Sequence, residues 1–360
     1  MAKRLLAIDG GGIRGLIAVE ILASIEDKVG APLARYFDYV AGTSSGAVLA
    51  ACVAVGMSVD QIRRLYLEMG AAMFEGASLF RRHLSKYDDS HLAAALRTVF
   101  SRPDGSELTL GSAELQTLLL LVLRNSTTDS PWPLSSNPHA KYNDRRLADC
   151  NLDIPLWKLV RASTAAPTYF PPQEIRMGEH DFLFVDGGIT PYNNPAFLLF
   201  LFATLEPYQL AWSTGLDNLL LVSVGTGLAD ASSAQLMANQ MNVLYSAVSV
   251  PIALIRATTI EQDLLCRVFG RCMHGWEIDG ELGDLLWSDS QPAPSLPKLF
   301  TYVRYTADLS REGLDRMDLR GLDPASVQRL DAVDHMDDLR RIGVIAGRQV
   351  QAAHFAGFAR

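Results

Sequence analysis

A serine set between glycines, Gly42-Thr43-Ser44-Ser45-Gly46, follows the apolar run Tyr39-Val40-Ala41 and precedes Ala47-Val48-Leu49-Ala50-Ala51. A short strand that turns through such a stretch into a helix lifts the central hydroxyl out of the sheet at a helix N-terminus, where partial positive charge favours an oxyanion. Ser44 is therefore the candidate nucleophile. The five-residue pattern alone is only moderately specific, because a small-residue turn that lets a helix pack closely on a strand reads the same way. Its strand-before, helix-after context favours the chemical reading.

A second stretch able to do chemistry lies near the N-terminus. Residues 4–8 form an apolar run ending in Asp9-Gly10-Gly11-Gly12-Ile13-Arg14-Gly15, and 16–29 repeat apolar residues at helical spacing. That is a strand, a glycine loop and a helix. Gly10, Gly12 and Gly15 also satisfy the dinucleotide-binding fingerprint. Two features oppose that reading. Asp9 puts a carboxylate beside the place a pyrophosphate would occupy, which is repulsive; and where a ribose-binding acid belongs, the chain has Ala41-Gly42-Thr43-Ser44. Consecutive glycines instead expose unhindered N–H groups in a concave array suited to a developing oxyanion. Arg14 would order this loop or meet an anionic substrate group, with a solvated first-turn arginine as the plain alternative.

Phe182-Leu183-Phe184-Val185 reads as a strand delivering Asp186 at its C-terminal end, where open α/β sheets place ligands. Asp186 is the candidate base, against the alternative of an Asx-turn at a strand end. A Ser-His-Asp triad would need a histidine after the acid. His274, His335 and His354 are the histidines downstream, none in a distinctive setting, and His180 falls in the turn leading into the strand.

Together, the Asp9-to-Gly15 stretch, the Gly42-to-Gly46 stretch and Asp186-Gly187-Gly188 stand in the order and spacing of the patatin-like phospholipases. The chain resembles that family over about residues 3–230, including 161–170 just before the acid. The resemblance implies an α/β fold, a three-layer sandwich with a mostly parallel central sheet; beyond it the residue pattern reads as a mainly helical C-terminal extension. The resemblance further implies a Ser44–Asp186 dyad, an oxyanion hole from the N–H groups of Gly10, Gly11, Gly12 and Ser45, no cofactor and no metal. The partner it implies is a phospholipid membrane surface. Aspartate is a weak base at its ordinary pKa near 3.9, so the dyad demands burial to raise it or a short hydrogen bond to Ser44. Some bacterial members that resemble this chain are anti-phage effectors, silent until a cyclic nucleotide binds. The region after 230 would house such control, though it holds no nucleotide motif. A nonspecific esterase and an inactive binding protein also stay open.

The elements that must position these residues need a large core. Of 360 residues, 49% are hydrophobic and 20% charged, ample for one and against disorder. A net charge of −8 with no long Lys/Arg stripe excludes tracking along a nucleic acid polymer. Cys52, Cys150, Cys266 and Cys272 form no C-x-x-C pair and read as reduced thiols of a cytoplasmic protein; the family resemblance implies that it would sit peripherally on the inner membrane when active. A zinc site from Cys266, Cys272 and His274 lacks a second ligand pair. Asp9 cuts the first apolar run too soon for an export signal, and no run approaches the ~18 residues of a membrane span.

Helices are expected over 57–75, 91–100 and 156–166, the last stopped by Pro167, and one is opened by Asn193-Asn194-Pro195. Buried strands are expected over 115–124, 219–224 and 300–305. Past 230 the pattern is helical, interrupted by Cys272-Met273-His274-Gly275-Trp276 and a proline-rich stretch at 291–297, and 331–358 closes with helical apolar spacing. The segment 78–87 reads as a membrane-surface piece or an amphipathic piece packed on the core. The segment 137–144 resembles one in bacterial members but carries no assignable chemistry. With no internal repeat and no long polar linker, residues 1–310 are expected to form the catalytic domain, and 311–360 a helical segment packed on it. Monomer and homo-oligomer both stay open.

Overall fold

The computed structural model describes residues 1–73, 87–228, 243–288 and 296–359. The expected amphipathic piece at 78–87 lies outside them except for Tyr87, as does most of the proline-rich stretch. The strands are β1 (Lys3–Ile8), β2 (Tyr39–Thr43), β3 (Leu118–Asn125), β4 (Ser130–Ser135), β5 (Gln173–Met177), β6 (His180–Asp186), β7 (Leu219–Val224), β8 (Gly270–His274) and β9 (Phe300–Tyr305). They build one sheet in the order β5-β6-β3-β2-β1-β7-β9-β8, with β4 paired on β3. Pairs from β3 through β8 are parallel; those of β3 with β4 and β6, and of β5 with β6, are antiparallel.

Helices cover both faces: α1 (Gly15–Val29), α2 (Leu33–Tyr36), α3 (Ser45–Ala54), α4 (Val59–Met73), α5 (Ser90–Val99), α6 (Leu156–Ser163), α7 (Ala196–Thr204), α8 (Val243–Phe269), α9 (Arg311–Arg316), α10 (Pro324–Gln328) and α11 (Met336–Gly347). Alternate strand residues feed two cores. Leu6, Ile8, Val40 and Leu121 face the layer holding α1, α3, α6 and α11, while Leu5, Ala7, Ala41 and Leu120 face α7 and the end of α8. Burial on both faces is why these strands read as continuous apolar runs rather than as alternating ones. The three-layer α/β sandwich with a mostly parallel sheet is thus present. The region after 230 supplies β8 and β9 to it as well as helices.

Several elements differ from expectation for local reasons. β4 carries Pro131 and Pro133, which hide an edge strand. β5 and β8 are short and rich in polar residues, so periodicity misses them. His180 opens β6 rather than sitting in the preceding turn. The helix expected over 156–166 ends at Ser163, because the residues before Pro167 are pushed out of helical geometry. The stretch 331–358 breaks into a 3-10 turn (Val333–His335), α11 and another 3-10 turn (Ala352–Phe355). Helix α11 lies close on α1: Cβ atoms at Gly343 and Gly347 would stand 2.9 Å from Ile17 and 2.3 Å from the Ser24 hydroxyl. Across this contact Arg340 pairs with the buried Glu20 at 2.9 Å, and Arg63 of α4 pairs with Glu20 at 2.8 Å.

Candidate active site

Ser44 is the N-cap of α3 with φ 54 and ψ −125, a conformation costly for a side-chain-bearing residue. The flanking glycines make the turn feasible. A Cβ at Gly42 would lie 2.1 Å from the Gly46 carbonyl oxygen, and one at Gly46 would lie 2.3 Å from that of Ile8. The Ser44 N–H donates to Ser163 Oγ at 2.9 Å, and Ser163 Oγ donates to the Val122 carbonyl at 2.7 Å. Ser163 thereby ties the elbow to α6 and β3. It lies in the 161–170 stretch that the sequence flagged, but nothing in its type singled it out.

Strand register brings the acid to the serine. Residues 120–122 of β3 pair with both β2 and β4, so those two strands lie on opposite edges of β3. Residues 123–125 pair with both β4 and β6, so β6 shares the β2 edge. Thr43 lies opposite Val122 and Asp186 opposite Leu123. The ends of β2 and β6 therefore meet head to head. There Ser44 Oγ donates to Asp186 Oδ2 at 2.6 Å, and the Gly188 N–H donates to Oδ1 at 2.6 Å.

Asp186 is 4% exposed. Burial pushes its carboxyl up from 3.8 to about 6, against the Ser44 and Gly188 hydrogen bonds and the Arg161 charge, which favour the carboxylate. Burial and a short serine bond, the two conditions demanded of an aspartate base, both occur here. Arg161, itself buried, is held by Asp89 at 2.8 Å and by the Pro171 carbonyl at 3.0 Å.

The glycine loop runs past this pair, and the structure divides the four expected oxyanion donors. The Gly10 N–H donates to the Asn193 carbonyl at 3.1 Å and the Gly11 N–H to Ser45 Oγ at 2.9 Å, so both are already engaged. Among the described residues, the N–H groups of Gly12 and Ser45 have no partner. Asp9, at the head of the loop, is gripped by Arg304: Nη1 reaches Oδ1 at 2.8 Å and Nη2 reaches Oδ2 at 2.5 Å. Burial works against the Arg304 charge, but the adjoining Asp9 carboxylate outweighs it and holds the guanidinium charged.

Arg14 is not a solvated arginine. It donates weakly to the carbonyls of Gly11 (3.4 Å) and Gly227 (3.3 Å), and burial lowers its pKa to about 10 with Asp9 opposing. A pocket joins these groups. Gly10, Gly11, Gly12, Arg14, Ser44, Ser45 and Asp186 line its polar floor, and Leu92, Tyr169, Phe170, Ile189, Ile255 and Leu330 line its apolar walls. No histidine lines it among the described residues. His274 bonds Gln349, His335 bonds Asp338, and His354 bonds Tyr305. The segment 137–144 is structural: Asn143 Nδ2 donates to the carbonyls of Ser135 and Asn137. No helix among the described residues is long and apolar enough to cross a membrane.

A family profile described as patatin-like phospholipase matches residues 6–200, more than half of the chain. An intracellular phospholipase A2 of Caenorhabditis elegans is 31% identical over 229 residues, covering 62% of this chain and 19% of that protein. Probable inactive patatin-like protein 9 of Arabidopsis thaliana is 29% identical over 265 residues, covering 69% and 66%. The cUMP-AMP-activated phospholipase of Escherichia coli is 28% identical over 226 residues, covering 62% and 65%. The chain thus spans between 19% and 66% of the length of these relatives.

Proposed function

This chain belongs to the patatin-like phospholipase family, and we propose that it is a serine lipid acyl hydrolase that cleaves acyl esters of membrane glycerophospholipids through Ser44 and Asp186. The observation that carries this reading is the 2.6 Å hydrogen bond from Ser44 Oγ to a buried carboxylate. Asp186, ionised at neutral pH with a pKa of about 6, takes the hydroxyl proton as Oγ attacks the ester carbonyl carbon. Negative charge then builds on the carbonyl oxygen. The N–H groups of Gly12 and Ser45 receive it, and Ser45 opens α3, where the helix dipole adds to its donor. One such donor is worth roughly 3 kcal/mol of barrier. Protonated Asp186 returns the proton to the leaving alkoxide, releasing the lysolipid. Water then attacks the acyl-serine with Asp186 again as base, freeing a fatty acid and restoring Ser44.

The apolar walls accept the acyl chain, and Arg14, on the same pocket lining, meets the lipid phosphate. The four cysteines are free and buried, which fits a reducing compartment from which the enzyme reaches the inner membrane as a peripheral protein.

A second reading keeps the chemistry and adds a nucleotide switch. The Escherichia coli relative is named for activation by cUMP-AMP. An inactive protein, as the Arabidopsis relative is named, is disfavoured because Ser44 and Asp186 are bonded to each other. The test is fatty-acid release from phospholipid vesicles by wild type and Ser44→Ala, with and without cyclic di- and trinucleotides. Release that falls to background in Ser44→Ala, with an unchanged melting midpoint, is expected. Equal release by both proteins would overturn the assignment, and release only with a nucleotide would select the gated reading.

A further inference from the structure

Tyr66 lies on α4, is 2% exposed and is absent from the pocket lining. In the sequence it stands with Ile62, Leu65 and Met69 on one face of the helix expected over 57–75. Its hydroxyl donates to the Gly12 carbonyl at 2.6 Å, and the N–H of the same peptide, that of Ile13, donates to the Leu330 carbonyl at 2.9 Å. The Gly12–Ile13 peptide is thus gripped at both polar ends, by α4 on one side and by the segment following α10 on the other.

The rest of the loop is pinned in the same manner. Thr226 Oγ1 donates to the Gly10 carbonyl at 2.8 Å, and the Arg14 N–H donates to that of Gly11 at 3.2 Å. The Gly12 N–H is left over, aimed by a glycine whose φ of +60 a side chain would strain. Two glycines keep room for the grip: a Cβ at Gly15 would stand 2.3 Å from the Tyr66 hydroxyl, and one at Gly12 would stand 2.3 Å from the Leu330 carbonyl. Tyr66 also faces the second free donor's residue. Burial raises its phenol above the ordinary range while the Ser45 side chain pulls against that shift, so it stays a protonated donor.

We propose that Tyr66 is a positioning residue for the transition state: its hydroxyl fixes the Gly12–Ile13 peptide, so that the adjoining Gly11–Gly12 peptide, which carries the Gly12 N–H and is held through the Gly11 carbonyl, cannot turn about the Gly12 bonds and keeps that N–H aimed at the developing oxyanion. Glycine peptides rotate readily, so without the hydroxyl this donor samples directions that do not meet the charge. The inference rests on the hydrolase reading above. It is tested with Tyr66→Phe, which keeps the ring, and Gly15→Ala, whose methyl displaces the hydroxyl. A fluorophosphonate titrates active Ser44, and kcat and KM are measured per active site on a soluble short-chain ester. Both variants should show a kcat reduced about tenfold or more, as for a partly misaimed oxyanion donor, with KM within about twofold of wild type. Phosphonylation should slow by the same factor as kcat. A merely structural role lowers the titratable fraction and the melting midpoint while leaving kcat per active site unchanged. Wild-type kcat per active site in either folded variant overturns the proposal, with the hydrolase reading intact if Ser44→Ala is dead. Wild-type protein that neither turns over nor is phosphonylated overturns both.

Discussion

The elbow and the glycine loop both turn backbone amides toward one pocket, but their shapes are held in opposite ways. The elbow is mostly local. Gly42 and Gly46 lie within its five residues, close approach of one to the other forces the turn, and α3 starts at once. The glycine loop is held by Tyr66, Thr226, Arg304 and Leu330, the last three beyond the residues matched by the family profile. A turn made tight by its own sterics needs little help. A run of glycines has maximal freedom and must be immobilised from outside, because ordering it costs more backbone entropy than ordering other residues. The shape of this pocket therefore depends on the late part of the chain as much as on the motif itself.

Breaking the elbow should have the largest effect. Gly42→Ala drives a Cβ into the backbone of its own turn, 2.1 Å from the Gly46 carbonyl oxygen and 2.7 Å from the Ala47 nitrogen, where little relief is available. Loss of stability on the order of 4 kcal/mol or more and loss of all Ser44-dependent turnover are expected in urea titration and ester assays. Soluble, active protein would show that the turn is not sterically forced.

Breaking the loop from afar comes next. Arg304→Met leaves Asp9 buried and uncompensated, an expected cost of about 3–5 kcal/mol. Unlike a surface substitution, it should also lower kcat per active site in protein still folded at low temperature. An unchanged kcat would mean that the loop keeps its shape without the β9 arginine.

The acid bonded to the elbow, in the pocket that both regions line, sharpens the comparison most finely. The Asp186 carboxyl is raised from 3.8 to about 6, so between those values the folded state holds the proton more firmly than the unfolded one. Stability from this group is greatest at low pH and falls as pH rises through that window, the deficit being complete above about 6. Asp186→Asn should therefore melt higher than wild type at pH 8, by about 1–2 kcal/mol once the weakened Gly188 bond is counted. That gain should vanish near pH 4. The same substitution should cut turnover by at least about a hundredfold, and wild-type kcat/KM should fall tenfold per pH unit below about 6. An acid limb near the ordinary carboxylate value, or an Asn variant less stable at pH 8, would contradict a desolvated base.

Much of this was legible in the residues. Apolar runs gave the buried strands β1, β2, β3, β7 and β9, the G-x-S-x-G stretch gave the elbow, and Asp186 stood at a strand end. Strands β4, β5 and β8 stayed hidden because proline, glycine and polar residues on short segments erase a period of two. Tyr66 and Ser163 stayed hidden for another reason: a hydroxyl on a helix face looks the same whether it faces solvent or clamps a loop.

By itself the sequence determined the local chemistry: glycines where only glycine fits, a serine at a helix start, a carboxylate at a strand end. Such features follow from sterics and periodicity over a few residues. Only the tertiary structure decided that Ser44 meets Asp186, 142 residues away, because that depends on β2 and β6 sharing one edge of β3. It also decided that, among the described residues, Gly12 and Ser45 rather than Gly10 and Gly11 keep free N–H groups. Hydrogen-bond partners are assigned by packing among distant segments, and no local pattern encodes which donor is left over.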